Sequence, residues 1–288
     1  MNPALWGLAT ALSWGSADFI ARFTGRALGH QTALLGMLGV SAVILSLILW
    51  YSPVPFVRDP SGWWLILLTG LGIMTATLLL YWGLVRGPVT VVAPIAGSYP
   101  ALNVALAVAL GARPSALDWA AMAAVMAGVI VVARAARSFE GPTGYTRAQL
   151  RFTIGLALGA ALTFSVTIAV AQQASYLYGE LQTVALSRWV SLLACVLLFL
   201  VRRQAPPRVP LRWWPWIGLQ GLLDGGAYVA LLAGSQGPGA EIAVVVGSGF
   251  GAVTVLLARL VLREAMTWAQ WAGIAAILSG VAILSGLH

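Results

Sequence analysis

Three charged side chains lie well inside long apolar stretches of this sequence: Asp18, Arg188 and Asp224. If these stretches cross a bilayer, a charge at its centre costs about 2.5–3.5 kcal/mol, so such residues are paired or functional. Helical spacing places Arg188 and Asp224 roughly 6 Å apart along the membrane normal, which an arginine side chain can bridge. We therefore predict a structural ion pair between Arg188 and Asp224. Asp18 and Arg22 are four residues apart on one helical face, so a second pair is expected there.

Hydroxyl, amide and aromatic side chains in the apolar stretches are the candidates for binding a small molecule. They offer hydrogen-bonding groups for polar atoms and rings for an apolar body, as an amphipathic metabolite such as an amino acid requires. An alternative role for Asp224 is contact with a substrate ammonium group or transport of protons. The predicted substrate-binding residues are Trp14, Ser16, Ser98, Tyr99, Asn103, Thr163, Phe164, Asp224, Tyr228 and Ser248.

The sequence contains no motif for catalysis, nucleotide binding or metal binding. It lacks a phosphate-binding loop, a GxSxG motif and an HExxH motif. Its two histidines, His30 and His288, are far apart, and Cys195 is its single cysteine, so no metal site and no intrachain disulfide are expected. We predict no cofactor, no enzymatic activity and no ATPase partner. Any transport would run on gradients.

The composition excludes a water-soluble globule. Only 8% of the residues are charged and 60% are hydrophobic, whereas soluble domains carry about 25% charged residues. All 16 basic residues are arginine, against 8 acidic residues. Because most of these arginines lie between apolar segments, we expect them to meet lipid headgroups and not nucleic acid.

Ten apolar segments are long enough to cross a membrane as helices, which need about 20 residues each. The sequence therefore predicts an all-α polytopic membrane protein with ten transmembrane helices. The predicted spans are roughly 4–22, 32–51, 63–84, 89–110, 116–134, 152–171, 183–201, 213–233, 240–260 and 268–287.

An internal repeat divides the chain into two halves. At an offset of 150 residues Trp63-Trp64 aligns with Trp213-Trp214, and Gly97-Ser98 aligns with Gly247-Ser248. We predict a first repeat at 1–137, a linker at 138–150 and a second repeat at 151–288. Because each half has five spans, the second enters the membrane from the opposite side. Two such inverted repeats around a central cavity are typical of carriers that work by alternating access.

The fourth and ninth spans contain residues that interrupt helices at matching positions in the two halves. Interrupted helices of this kind often mark a transporter site. The alternative is plain packing, since small residues let helices approach closely. The predicted helix breaks, which would also serve gating, are Pro94, Gly97, Pro100, Gly247, Gly249 and Gly251.

Several of these features together resemble a known family. Two five-helix halves, Trp14-Gly15-Ser16 in the first span, and Gly87-Pro88 and Gly237-Pro238 before the fourth and ninth spans are similar to the EamA branch of the drug/metabolite transporter (DMT) superfamily. The likeness is greatest to YddG-type exporters of aromatic and other neutral amino acids. It implies a carrier in the bacterial inner membrane, with spans 1, 3, 4, 6, 8 and 9 around the cavity and spans 5 and 10 at the periphery. Other substrates remain alternatives: a nucleoside, a sugar derivative or a drug-like cation.

The orientation in the membrane is left open by two conflicting indications. The resemblance places both termini in the cytoplasm. Loops rich in basic residues tend to lie in the cytoplasm. Here the basic loops are those after spans 1, 3, 5, 7 and 9, which form an Arg-rich face opposite the termini. If this face is cytoplasmic, both termini lie outside. This face holds Arg22, Arg26, Arg86, Arg134, Arg137, Arg147, Arg151, Arg202, Arg203, Arg208, Arg212 and Arg263, against Arg58 and Arg113 on the opposite face.

Overall fold

The computed structural model describes residues 2–102, 115–135, 144–205, 207–236, 240–263 and 266–286, and in these ranges the chain is helical with short connections. Two 3₁₀ turns, Pro60–Gly62 and Leu211–Trp213, precede α3 and α8. The helices are α1 (Pro3–Leu28), α2 (His30–Tyr51), α3 (Trp63–Arg86), α4 (Val89–Ala96), α5 (Ala116–Ala135), α6 (Arg147–Tyr178), α7 (Glu180–Val201), α8 (Trp214–Gly234), α9 (Ala240–Ser248), α10 (Phe250–Leu257) and α11 (Trp268–Gly286).

Each of the ten predicted spans coincides with at least one of these helices, and α9 and α10 share the ninth span. By length and composition, five helical segments among the described residues can cross a membrane: His30–Tyr51, Pro60–Arg86, Arg147–Tyr178, Glu180–Val201 and Leu211–Gly234. Shorter apolar helices occupy the fourth, fifth and ninth spans. The chain is therefore an all-helical, polytopic, integral membrane protein.

The helix α6 is longer than the sequence predicted. It begins at Arg147 because Thr146 and Gln149 form a capping box, in which each side chain bonds the other residue's backbone N–H. It continues to Tyr178, well past the predicted end at residue 171. The predicted linker, 138–150, therefore ends in the first turn of this helix.

The repeat is visible in the backbone at two glycines that sequence reasoning missed. Gly29 (φ 85°) is the single residue between α1 and α2, and Gly179 (φ 75°) is the single residue between α6 and α7. Side chains disfavour this left-handed region, so glycine suits both positions. The two lie 150 residues apart, at the offset of the sequence repeat.

Helix packing also follows the repeat. The counterparts of α1, α2 and α3 in the second half are α6, α7 and α8. The contact of α3 with α6 therefore corresponds to the contact of α8 with α1, and both contacts are present. The same exchange relates the contacts α2–α8 and α7–α3, whereas α2–α7, α4–α10 and α5–α11 join counterparts directly. This is the pattern of two repeats related by a pseudo-two-fold axis. Since each repeat has an odd number of spans, five, the second repeat is inverted relative to the first in the membrane. The axis that relates them therefore lies in the membrane plane.

Candidate functional site

A small cavity lies between the two repeats. Its wall comes from α1, α3, α6, α8 and α10 and from the helical turn at 99–102, which are the six spans that the resemblance implied. The cavity volume is about 10 Å³, enough for about one water molecule. The site is thus closed in this conformation, and a substrate requires the wall to move. The lining residues are Trp14, Asp18, Ile73, Thr77, Leu80, Tyr99, Phe164, Ile168, Asp224 and Phe250.

Aromatic rings form much of the wall. The ring of Trp14 lies 5.8 Å from that of Phe250, edge-on, and 6.0 Å from that of Tyr228. The rings of Tyr99 and Phe164 are 6.4 Å apart. All five side chains are buried. Separations of this size are favourable for aromatic pairs, and in each of the two groups a ring of the first repeat packs on a ring of the second.

The structure brings Arg188 and Asp224 together. The Nη2 atom of Arg188 lies 2.5 Å from Oδ2 of Asp224, and the arginine side chain is fully buried. The guanidinium also lies over the Tyr228 ring, 5.4 Å from its centre. The Trp14 side chain lies beside the Asp224 carboxylate in the same cavity wall. Asp224 therefore joins Arg188 to the tryptophan of the cavity wall.

Asp18 is the site residue that the sequence analysis assigned wrongly. The expected ion pair with Arg22 is absent from the described part of the chain, because Arg22 donates instead to the backbone carbonyls of Leu84 and Gly87 and to the hydroxyl of Tyr145. Asp18 is 5% exposed and lines the cavity. Its position four residues after Trp14, on the same helical face, was the signal for this role.

Among the described residues, the cavity therefore contains one more carboxylate than it has cations. Asp224 is paired with Arg188, whereas no described cation lies within ion-pair distance of Asp18. When both carboxylates are ionised, the site carries one net negative charge. A carboxylate buried without a cation is costly, so it either takes up a proton or pairs with a positively charged group, and a ligand with such a group suits this arrangement.

The other predicted substrate-binding residues lie outside the wall. Tyr228 packs behind Trp14. The hydroxyls of Ser98 and Thr163 donate to the carbonyls of Ile95 (2.7 Å) and Gly159 (2.8 Å) of their own helices. Ser16 is half-buried, Ser248 is buried, and neither contributes to the lining. Asn103 lies outside the described residues.

Sequence reasoning missed most of the apolar wall. Ile73, Thr77 and Leu80 on α3 and Ile168 on α6 line the cavity. Their spacing of three to four residues marks one face of α3. Apolar residues cover every face of such a helix, so the period alone does not distinguish the face toward the cavity from the face toward lipid.

Polar contacts between the repeats close the cavity on the Arg-rich face. The side-chain amide of Gln220 on α8 donates to the Tyr81 hydroxyl of α3 at 2.7 Å. The Gln220 carbonyl accepts from the hydroxyl of Thr24 on α1 at 2.9 Å. All three side chains are fully buried. This layer separates the cavity from the loops after α1 and α3.

A second set of contacts joins the repeats on the opposite face. The side-chain amide of Gln182 on α7 donates to the carbonyl of Val57 at 2.8 Å. The Tyr178 hydroxyl donates to the carbonyl of Asp59 at 2.6 Å. In the same loop, the backbone N–H of Ser61 donates to the Asp59 carboxylate and lowers the pKa of that carboxyl below its ordinary value. The cavity is therefore closed toward both faces.

The interruptions in the fourth and ninth spans lie beside the cavity. α4 ends at Ala96 and a turn at Gly97-Ser98 follows, while Gly249 separates α9 from α10. A Cβ added to Gly251 would lie 2.7 Å from the carbonyl oxygen of Ala93, because α10 packs directly on α4. The two interrupted spans thus meet across the pseudo-two-fold axis.

Four of the six predicted helix breaks are helical in the structure. Pro94 lies inside α4, Gly247 inside α9, Gly251 inside α10 and Pro100 in the helical turn at 99–102. Pro94 removes one backbone hydrogen bond, yet α4 continues for two more residues. Only Gly97 and Gly249 lie at interruptions.

Comparisons with known proteins agree with this architecture. A ten-span arrangement of two repeats around a closed, partly charged cavity defines the class of membrane carriers. Residues 1–134 and again 151–286 match the EamA-like transporter family, so the chain belongs to that family and is a transporter of small molecules. The match in both halves supports the internal repeat.

One solved structure, described only as a crystal structure of a protein, superposes with a TM-score of 0.69 at 15% sequence identity. The alignment covers 98% of this chain and 95% of the other. At this identity the likeness supports the fold alone. No curated protein matches the chain.

Proposed function

We propose that this protein exports small amphipathic metabolites, above all aromatic and neutral amino acids, across the bacterial inner membrane by alternating access. The observation that carries the proposal is the cavity between the repeats, which is closed toward both faces. It combines aromatic rings with a carboxylate, Asp18, that has no cation partner in the part of the chain that the structure describes. Rings suit an apolar side chain, and the free carboxylate suits an ammonium group.

Asp18 is the proposed acceptor for the ammonium group. Asp224 is already paired with Arg188 and lies beside Trp14, so its role in the proposal is to support the cavity wall at the indole. Tyr99 is 1% exposed, and its hydroxyl has no hydrogen-bond partner among the described residues. That hydroxyl and the Thr77 hydroxyl supply donors for a substrate carboxylate.

Transport then alternates between two openings. Opening toward the Arg-rich face separates Gln220 from Tyr81, and opening toward the other face separates Tyr178 from Asp59. At the interruptions the helical hydrogen bonds are replaced by tighter turns, with Ser98 N–H bonded to Ile95 and Gly249 N–H bonded to Val246, and each span can bend there. In the closed state the rings pack on one another and occupy the space that a substrate would take.

The test is uptake of labelled amino acids into proteoliposomes, with and without a pH gradient. The panel contains phenylalanine, tryptophan, leucine, methionine and threonine. Trp14→Ala removes a wall residue and is expected to reduce uptake at least tenfold. Trp216→Ala is the matched control, because Trp216 is 52% exposed and distant from the cavity. If wild-type protein moves none of the panel, the amino acid assignment is wrong.

A second candidate substrate is an amphipathic cation without a carboxylate, which the uncompensated charge of Asp18 favours. Phenylalanine, phenethylamine and 3-phenylpropionate share a ring and differ in charge, so their competition for uptake separates the candidates. We expect the two ammonium compounds to compete and phenylpropionate not to compete. Asp18→Asn should abolish this discrimination, whereas Asp59→Asn, the same change in an exposed loop, should preserve it.

A further inference from the structure

Two grooves on the lipid-facing surface lie outside the proposed transport site. Groove A lies between α3, α7 and the segment before α3, and has a volume of about 800 Å³. Groove B lies between α2, Leu192 in the middle of α7 and the segment before α8, and has a volume of about 510 Å³. The walls of both grooves are mainly apolar. Each groove is also lined by the tryptophan that begins the helix after the connecting segment: Trp63 of α3 in groove A and Trp214 of α8 in groove B.

The two grooves are equivalent positions of the repeat. The α7 residues of groove A are Gln182, Leu186, Trp189, Val190 and Leu193. Each has its counterpart 150 positions earlier among the α2 residues that line groove B. The same kind of depression is therefore built twice, once toward each face of the membrane.

The length of each groove matches one leaflet. From Gln182 to Leu193, α7 rises roughly 16 Å, and from Thr32 to Ile44, α2 rises roughly 18 Å, at 1.5 Å per residue. Half of the hydrocarbon core is about 15 Å thick. Each groove thus runs from a membrane surface to about the bilayer midplane, the depth that one acyl chain covers.

An arginine lies at the surface end of each groove, again at equivalent positions. Arg58 lines groove A, and Arg208 lies between Pro207 and Val209, which line groove B. Both arginines are exposed, and neither forms a hydrogen bond or ion pair with any described residue. A guanidinium at the level of the headgroups is a suitable partner for a phosphate.

The charge around the two arginines differs. Arg58 is followed by Asp59, so the mouth of groove A is close to neutral. The counterpart of Asp59 beside groove B is Val209, and the surrounding segment 202–212 contains four arginines and no acidic residue. Basic residues near the membrane surface attract anionic lipids.

We propose that each groove is a phospholipid-binding site, one in each leaflet, with an acyl chain along the groove and the phosphate on Arg58 or Arg208, and that groove B selects an anionic headgroup. The proposal rests on the lipid-facing surface and holds whatever the transported substrate is. It assigns the exposed grooves to structural lipids that fill the spaces between the repeats.

Native mass spectrometry of the full chain in mild detergent tests the proposal. The probes are dioleoyl phosphatidylglycerol and dioleoyl phosphatidylcholine, added in equal amounts. Wild-type protein is expected to retain up to two phospholipids, with phosphatidylglycerol enriched. Arg208→Gln should lower this enrichment about fivefold, the factor that corresponds to about 1 kcal/mol for one basic residue. Arg151→Gln, an exposed arginine on the same face, is the control and should leave it unchanged.

Filling groove B gives an independent test. A Cβ at Gly39 meets only Leu192, at 3.9 Å, so a large side chain has room there. The counterpart of Gly39 in groove A is Trp189. Gly39→Trp is expected to remove one bound lipid while the melting temperature stays close to that of wild type. The proposal is overturned if this variant retains both lipids, or if Arg208→Gln and Arg151→Gln change the enrichment equally.

Discussion

Removing the partners of the buried Arg188–Asp224 ion pair, first one at a time and then together, shows whether Asp224 has a structural role or binds the substrate. In Arg188→Met, the Asp224 carboxylate loses the guanidinium whose Nη2 lies 2.5 Å away. Removing one partner of a buried pair costs about 3–5 kcal/mol, because the other charge stays buried without compensation. At about 2–4 °C per kcal/mol, we expect a fall in melting temperature of roughly 6–20 °C. Scanning fluorimetry in detergent measures it.

The second partner is removed by Asp224→Asn, which keeps the size of the side chain beside Trp14 and removes its charge. By itself, Asp224→Asn leaves the buried Arg188 guanidinium without its anion, and we expect it to lower the free energy of unfolding by an amount similar to that for Arg188→Met. The double variant Arg188→Met/Asp224→Asn removes both charges, and replacement of both partners of a buried pair is often close to neutral. We therefore expect the double variant to recover most of the lost stability.

Transport by the double variant then separates the two roles of Asp224. If the pair is structural and Asp18 binds the ammonium group, the double variant transports at a rate within about threefold of wild type. A stable double variant without transport would show that Asp224 itself acts on the substrate. Single variants that melt within about 2 °C of wild type would refute the reasoning about the buried charge.

Three further predictions test the packing that surrounds the cavity. Gly251→Ala places a methyl group 2.7 Å from the Ala93 carbonyl, so we expect a loss of about 1–3 kcal/mol in thermal unfolding and slower transport. Gln220→Leu leaves the buried Tyr81 hydroxyl without its donor, which lowers the free energy of unfolding by about 1–3 kcal/mol. A reagent added on the Arg-rich face should then alkylate cysteines placed near the cavity faster than in wild type. Gly179→Ala forces a side chain into the left-handed region at φ 75°, which costs about 1–2 kcal/mol and should lower the melting temperature by several degrees.

Much of the fold is readable from the sequence because its signals are long and repeated. Apolar runs of about 20 residues identify spans, and Trp63 with Trp213 or Gly97 with Gly247 reveal the offset. The approach of Arg188 to Asp224 follows from helical rise alone. These features depend on chain geometry and not on details of side-chain packing.

The site itself was less predictable because several partners compete for the same helical face. Asp18 lies one turn from both Trp14 and Arg22, and the sequence does not reveal that Arg22 binds backbone carbonyls of α3. Pro94 was expected to break a helix that continues past it. The small volume of the cavity depends on how the rings from both repeats interlock, which helical periodicity does not describe.

The most direct test of the central claim measures both faces of the molecule at once. Ala27 and Leu211 lie at the Arg-rich face, and their counterparts Leu177 and Ser61 lie at the opposite face; all four are exposed. Spin labels on cysteines at each pair, in a Cys195→Ala background, report distances by pulsed electron paramagnetic resonance in lipid nanodiscs. Alternating access predicts that conditions which lengthen one distance, such as added substrate or a change of pH, leave the other at the short value of the closed state or return it to that value. Two distances that lengthen together, or that both stay unchanged under saturating transported substrate, would contradict the account.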